Sequence, residues 1–304
     1  MRRSLTLWLL VLAVAQTAAV LAVRHAAVFT EYGQRLDWLA LSGNYIGARH
    51  IDQLVHTVLD ALGVASIAAA TLVIGFIALI RRRFRLAVAA TALVGGANVT
   101  AQLLKHVTVR PDLGVDLERV AAGNSFPSGH TALAASVAVA LVLVLPARIR
   151  AVGAVLAAAY AALAGVATMS AGWHRPSDAV AALLIVGAWA AAAGAFLVAG
   201  PEPEGQSPGR SHWFTSFLLL AAAALASAFV LTAVQVASRA GVTTPQDLSR
   251  NALLTVYAGG AAAIAGTSAL VMALLLATLH RVVPRRDSRH PAPGEVPNRL
   301  AEPV

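Results

Sequence analysis

Eight uncharged apolar runs, separated by short polar stretches, set the pattern of this chain: residues 5–23, 61–80, 86–104, 131–145, 151–171, 179–199, 214–237 and 252–279. A helix needs about 20 apolar residues to cross the hydrocarbon core, and seven of the runs reach roughly that length. The exception, 131–145, is preceded by a helical turn expected to start at Pro127. The pattern predicts an all-α polytopic membrane bundle of eight spanning helices. After 5–23 no small-x-small cleavage site with a polar flank follows, so an uncleaved first helix is expected rather than a signal peptide.

The stretches between the runs carry the punctuation. Residues 24–60 mix charge, aromatics and glycine and read as an external loop with a short amphipathic helix near 51–59. RRRFR (81–85) and PARIR (146–150) end two runs, PEPEGQSPGRSH (201–212) reads as an exposed linker, and the chain after His280 lacks apolar periodicity and is expected to be disordered. The expected organisation is a membrane core over 1–200, a cytoplasmic linker over 201–212, two further helices over 213–280 and a basic cytoplasmic tail over 281–304. The last two helices are expected to be the least tied to the motif region.

Composition agrees with this reading: 58% of the 304 residues are hydrophobic and 12% charged, where a soluble domain carries about 25% charged residues. The net charge of +9 would suit nucleic acid, but the arginines sit in short segments between apolar runs, with no basic helix or aromatic interleaving. Topology accounts for them better. With both termini cytoplasmic, at least thirteen Lys and Arg fall inside against nine outside. Cysteine is absent, which excludes disulfides, thiolate ligands and a cysteine nucleophile. No Asp, Glu and His cluster has metal-site spacing, so neither metal nor cofactor is expected. Oligomeric state is not legible.

Three polar islands then fall on the extracytoplasmic side: KHVTVRP (105–111), NSFPSGHT (124–131) and GWHRPSD (172–178). Charged groups near membrane depth are costly, and their convergence points to a site. PSGHT has the form of a helix start, with Pro127 where no N–H is needed, Ser128 as a hydroxyl donor and Gly129 allowing close approach. Such an N-terminus suits an anion, and His130 beside it can move a proton near neutral pH. The plainer alternative is a capped helix with an interfacial histidine. GWHRPSD repeats the construction with Pro176. There His174 and Asp178, four apart, share one side of a turn, so the aspartate can hold one ring nitrogen and leave the other to attack phosphorus. Asp178 is alternatively a favourable charge at a helix start. Lys105 and Arg110 suit phosphoryl oxygens, or anchor the chain at the interface. Asn98, Thr100 and Gln102 line the site or tie helices together.

Together these motifs resemble the type 2 phosphatidic acid phosphatase superfamily of membrane phosphatases. It combines a lysine followed by Arg-Pro, a PSGH motif, and a third motif of Ser-Arg, histidine and aspartate. The resemblance implies a six-helix core within 5–199. It implies Lys105 and Arg110 as phosphate ligands together with Ser128 and Gly129, His174 as nucleophile, Asp178 as its partner, and His130 protonating the leaving oxygen. Two departures stand out. KHVTVRP has four residues between Lys105 and Arg110 where the family usually has six, and Thr168 stands six before His174 where the family has arginine. Arg175 and Arg119 are the candidate replacements.

The expected function is metal-independent hydrolysis of a phosphate or pyrophosphate on a membrane lipid through a phosphohistidine. The leading substrates are a polyprenyl pyrophosphate such as undecaprenyl pyrophosphate, or a lipid of the phosphatidic acid or phosphatidylglycerol phosphate type. A phosphotransferase to a sugar or lipid hydroxyl and a non-catalytic lipid-phosphate binding or transport protein are the competing readings.

Overall fold

A computed structural model describes residues 2–44, 72, 84–115, 124–200, 206–207, 211–239, 244–282 and 285–286. The run at 61–80 apart from Leu72, the helix expected near 51–59, Arg119, most of the linker and the tail beyond 286 lie outside the described residues.

Eight α-helices are described: α1 (Arg2–Val28), α2 (Glu31–Ser42), α3 (Phe84–Val107), α4 (Gly129–Val144), α5 (Arg150–Ser170), α6 (Pro176–Ala199), α7 (Trp213–Arg239) and α8 (Arg250–Val282). Six of them, α1, α3, α5, α6, α7 and α8, are long and apolar enough to cross a membrane. The apolar α4, with 16 residues, is about 24 Å long. The fold is an all-α polytopic bundle. A two-residue antiparallel ladder, Gln206 and Ser207 against Arg286 and Arg285, joins the linker to the chain beyond α8.

Helix α6 is the axis of the bundle, packed on by α1, α3, α4, α5 and α8. Its sequence explains why: it is apolar all round and rich in alanine, so it has no polar face to turn outward. Close approach depends on small residues, the usual device where lipid removes the hydrophobic drive between helices. A Cβ on Gly96 of α3 would strike the Trp189 ring of α6, and one on Gly187 of α6 would strike Gln16 of α1. Gly259 and Gly266 of α8 face Ala233 and Ala226 of α7 in the same way.

Two expectations need correction. Residues 24–44 are not loop: α1 continues to Val28, and α2 starts directly after it, with the Thr30 hydroxyl accepting from the Gly33 amide at 3.0 Å. Gly33 permits this corner, since a Cβ there would overlap the Ala26 carbonyl. The last helix is not remote from the motifs either. It packs on α2, α5 and α6, its Ser268 hydroxyl donates to the Ala158 carbonyl at 2.8 Å, and its Tyr257 hydroxyl meets that of Ser170 at 2.6 Å. Of the last two helices it is α7 that is peripheral, held mainly by α8.

Gly260 is the clearest measure of how α8 supports the motif end. A Cβ there would lie 2.8 Å from Pro176, 3.3 Å from Met169 and 3.4 Å from Ala40, which belong to α6, α5 and α2. Gly260→Val should overpack this junction and cost about 1–3 kcal/mol. Gly95→Val, where nothing lies within 4 Å of the added carbon, is the control. Thermal unfolding in detergent should show a clearly lower midpoint for G260V than for G95V, and equal midpoints would contradict this packing.

Candidate active site

The three polar islands meet where α3 ends and α4 and α6 begin. Asn124 joins the first two: its amide nitrogen donates to the Lys105 carbonyl at 3.2 Å and the Phe126 carbonyl at 2.9 Å, and its oxygen accepts from the Phe126 amide at 3.0 Å. The Phe126 ring is fully buried against Val28 and Ala181, which fixes this loop to α1 and α6. The Ser128 amide donates to the Asp178 carbonyl at 3.0 Å, so the starts of α4 and α6 are tied directly.

Helix α4 begins at Gly129, with Ser128 as its cap; Pro127 precedes the helix instead of opening it. The Ser128 side chain is completely buried, and its oxygen accepts from the Thr131 amide at 3.3 Å and lies 2.9 Å from the Thr131 hydroxyl. Its hydroxyl, expected to face phosphate, is thus engaged in capping, the commonest use of serine at a helix start. The amides of Gly129 and His130 have no hydrogen-bond partner among the described residues. They leave an anion-ready helix start at the rim of the site. Gln102 of α3 closes over Gly129, its amide nitrogen 3.3 Å from where a Cβ would stand. Asn98 and Thr100 serve as ties between helices, to Ser136 at 3.2 Å and Trp189 at 3.1 Å.

At the other helix start, α5 ends in a turn around Gly172, whose φ of 73° is the left-handed conformation that favours glycine at a helix end. The Thr168 carbonyl accepts from the amides of Trp173 and His174 at 3.0 and 3.2 Å, so this turn sets where His174 stands. The Thr168 hydroxyl donates back to Gly165 at 2.9 Å, inside its own helix, and is fully buried. Pro176 opens α6, as expected.

His174 is buried, its Nδ1 3.4 Å from Asp178 Oδ2. Asp178 is sealed from solvent and its Oδ2 accepts from the Ser125 hydroxyl at 2.7 Å and the Arg175 amide at 2.9 Å. His130 is exposed and stands across from His174, with ring centroids 6.2 Å apart, while the half-exposed Trp173 indole lies 5.5 Å from the His130 ring. Lys105 is half-buried and within electrostatic range of His130. Arg110 is buried, 3.5 Å from the Ala27 carbonyl, on a segment pinned to the α1–α2 corner by Arg24 to Thr108 at 3.0 Å and Gln34 to Pro111 at 3.0 Å.

Arg175, a candidate replacement for the missing arginine, is held from within. Its side chain is among the largest that are fully buried, Nη1 donates to Ser125 Oγ at 3.2 Å, and both Asp37 and Asp178 act on it electrostatically. A buried guanidinium that acts on two buried carboxylates offsets part of their charge.

Asp37 and Ser125 were not singled out in the sequence. Asp37 projects from α2 to the first turn of α6, where its two oxygens accept from the Ser177 amide, at 3.3 Å, and the Ser177 hydroxyl. Burial and the neighbouring Asp178 carboxylate push Asp37 up to about 6, against the opposing pull of Ser177, Arg110 and Arg175. One signal was available: Gln34, Asp37 and Leu41, spaced i, i+3 and i+7, are buried in α2 together with Leu39 and Ala40. Two of these five are polar, which breaks up the apolar face.

Among the described residues no group of three or more His, Asp and Glu converges as a metal site. The arrangement instead offers two histidines facing each other, a carboxylate behind one of them, free helix amides and cationic side chains. Comparison with protein families matches the PAP2 superfamily model to residues 86–199, a span containing all three islands. Comparisons with curated proteins and with solved structures found no match. Members of the matched superfamily are phosphatases acting on phosphate esters. The likeness to the PAP2 superfamily is thus carried by residues 86–199, which hold both histidines and the helices around them.

Proposed function

We propose that this protein hydrolyses a phosphate or pyrophosphate ester of a membrane lipid, without a metal, through a phosphohistidine on His174. The observation that carries the reading is the pair of opposed rings, His174 backed by a buried carboxylate and His130 exposed beside the open start of α4. A nucleophile must come within about 3–3.5 Å of phosphorus, and a proton donor within about 2.6–3.2 Å of the leaving oxygen on the opposite side. Two rings a few ångströms apart can divide these tasks.

In this mechanism Asp178 holds His174 by Nδ1 and leaves the Nε2 lone pair for phosphorus. As the N–P bond forms, the P–O bond to the lipid breaks and His130 gives its proton to the departing oxygen. Water then attacks the phosphohistidine, His130 takes a proton from it, the N–P bond breaks and phosphate leaves. The amides of Gly129 and His130, with Lys105 and Arg110, stabilise charge on the non-bridging oxygens, where preorganised donors contribute most.

The substrate follows from location. We assign the site to the extracytoplasmic face with both termini cytoplasmic, on the arginine asymmetry, and this favours a polyprenyl pyrophosphate of envelope synthesis over phosphatidic acid or phosphatidylglycerol phosphate. Thr168 in place of the family's arginine favours one second reading, a lipid-phosphate binding or transport protein without turnover.

Purified protein should release phosphate from a panel of these lipids, and do so equally in EDTA, because fixed cations take the electrostatic part that a metal would play. No release from any lipid would support the binding reading, and loss in EDTA restored by Mg²⁺ would overturn the metal-independent mechanism. His174→Ala should abolish acid-labile ³²P labelling of the protein in rapid-quench experiments. His130→Ala should slow a lipid alkoxide leaving group much more than an activated aryl phosphate, whose oxygen needs less help from a proton. Label retained in H174A, or equal losses for both substrates in H130A, would contradict the assigned roles. For orientation, a reporter fused within 24–60 should report the outside and one within 200–212 the cytoplasm; the reverse would place the site on the inner face.

A further inference from the structure

We infer that Asp37 is a positioning residue of this site, acting from α2 through Ser177 and Arg175 to keep Asp178 available to His174. The inference rests on the phosphatase reading above.

The start of α6 presents amides that an anion can occupy, and there the anion is built in. Arg175 N–H is taken by Asp178 at 2.9 Å and Ser177 N–H by Asp37 at 3.3 Å. This differs from the start of α4, where the Gly129 and His130 amides remain open among the described residues. The two helix starts therefore divide the work: one receives a ligand and the other is locked by the protein's own carboxylates.

The lock bears on catalysis because Asp37 and Asp178 share one cation. Arg175 is fully buried and acts electrostatically on both, and Arg110 also acts on Asp37. If the Asp37 charge is removed, one of the two buried carboxylates that act on Arg175 is lost, and the pull of the guanidinium on Asp178 is less divided. The guanidinium then competes with His174 for a carboxylate oxygen that already lies 3.4 Å from the ring. The hydrogen-bond inventory points the same way. Both Asp37 oxygens accept from Ser177, whereas an asparagine keeps one acceptor for the Ser177 amide and turns its NH₂ on the Ser177 hydroxyl, which must then accept instead of donate.

Asp37 is itself held in place. Gln34, one turn earlier, donates to the Val28 carbonyl at 2.7 Å and the Pro111 carbonyl at 3.0 Å. Leu39 and Ala40 pack with Val256 of α8, and Gly43 lies against Tyr257. The departure from the family pattern fits this arrangement. With Thr168 turned into its own helix, Arg175 supplies a buried guanidinium that bonds Ser125, and two carboxylates, Asp178 and Asp37, act on it.

The test uses the full-length protein in detergent micelles, with an aryl phosphate as substrate. Asp37→Asn should lower kcat at least about tenfold while KM stays within about twofold, since orientation is lost and the phosphate ligands remain. Asp37→Glu, which keeps the charge, should recover part of the loss. If D37N does not fold, Ser177→Ala carries the same test, with a smaller fall in kcat. Unchanged kcat in the folded variant would overturn the proposal. So would a lower KM at unchanged kcat, which would make Asp37 an internal competitor for phosphate. Hydrogen exchange supplies a readout independent of turnover: D37N or S177A should accelerate exchange in 172–182 and leave 129–144 unchanged. Equal protection of 172–182, or a uniform loss across all helices, would overturn the proposal. If the wild type releases no phosphate from any substrate, the phosphatase reading falls, and exchange at 172–182 still decides the role of Asp37.

Discussion

A carboxylate closed off from water has to be met by donors and cations or it gives up its charge, and Asp178 is closed off completely. Its surroundings read as a response to that demand. Ser125 and the Arg175 amide supply hydrogen bonds, the Arg175 guanidinium supplies positive charge, and His174 stands 3.4 Å away. These groups come from the loop before α4 and the turn before α6. Satisfying one buried charge therefore draws the second and third polar islands together, and His174 takes its place as a member of that set.

The same demand gives α2 and α8 their place. A second carboxylate, Asp37, enters from α2 and meets the first turn of α6 through Ser177. Helix α2 is short and is pressed into position by α8, through Gly43 against Tyr257 and through the Leu39, Ala40 and Val256 cluster. Gly260 of α8 touches Pro176, Met169 and Ala40 at one point. What looks like an appended pair of C-terminal helices thus contains one structural wall of the site and one peripheral helix.

Much of the architecture is legible in the chain because lipid imposes length and composition on every spanning segment. The described apolar runs that became helices lie close to their expected bounds, with the ends extended: α1 reaches Val28 and α8 runs from Arg250 to Val282. The extensions contain Arg24, which donates to Thr108, and residues such as Arg250 and Arg281 at the helix ends. Hydropathy stops at the first charge, whereas a helix continues as long as its backbone bonds are made. Helix α2 escaped for the opposite reason. With Gln34 and Asp37 facing inward, its polarity looks like that of a loop.

The sequence by itself determined the class of the fold and the three motif segments. Spacing along one helix start is a local property, so Pro176, His174 and Asp178 could be placed together without coordinates, and the PSGH segment could be recognised as the start of a helix. Only the tertiary structure decided which hydroxyl faces where and which cation answers which carboxylate. Ser128 turns to cap its own helix, Arg175 is buried and bonds Ser125, and Asp37 arrives from a helix 140 residues away from its partner Ser177. These outcomes are set by pairing of buried charges across distant segments, where burial strengthens each attraction and penalises each unmet charge. No periodicity along the chain encodes that pairing, because it exists only once the helices have packed.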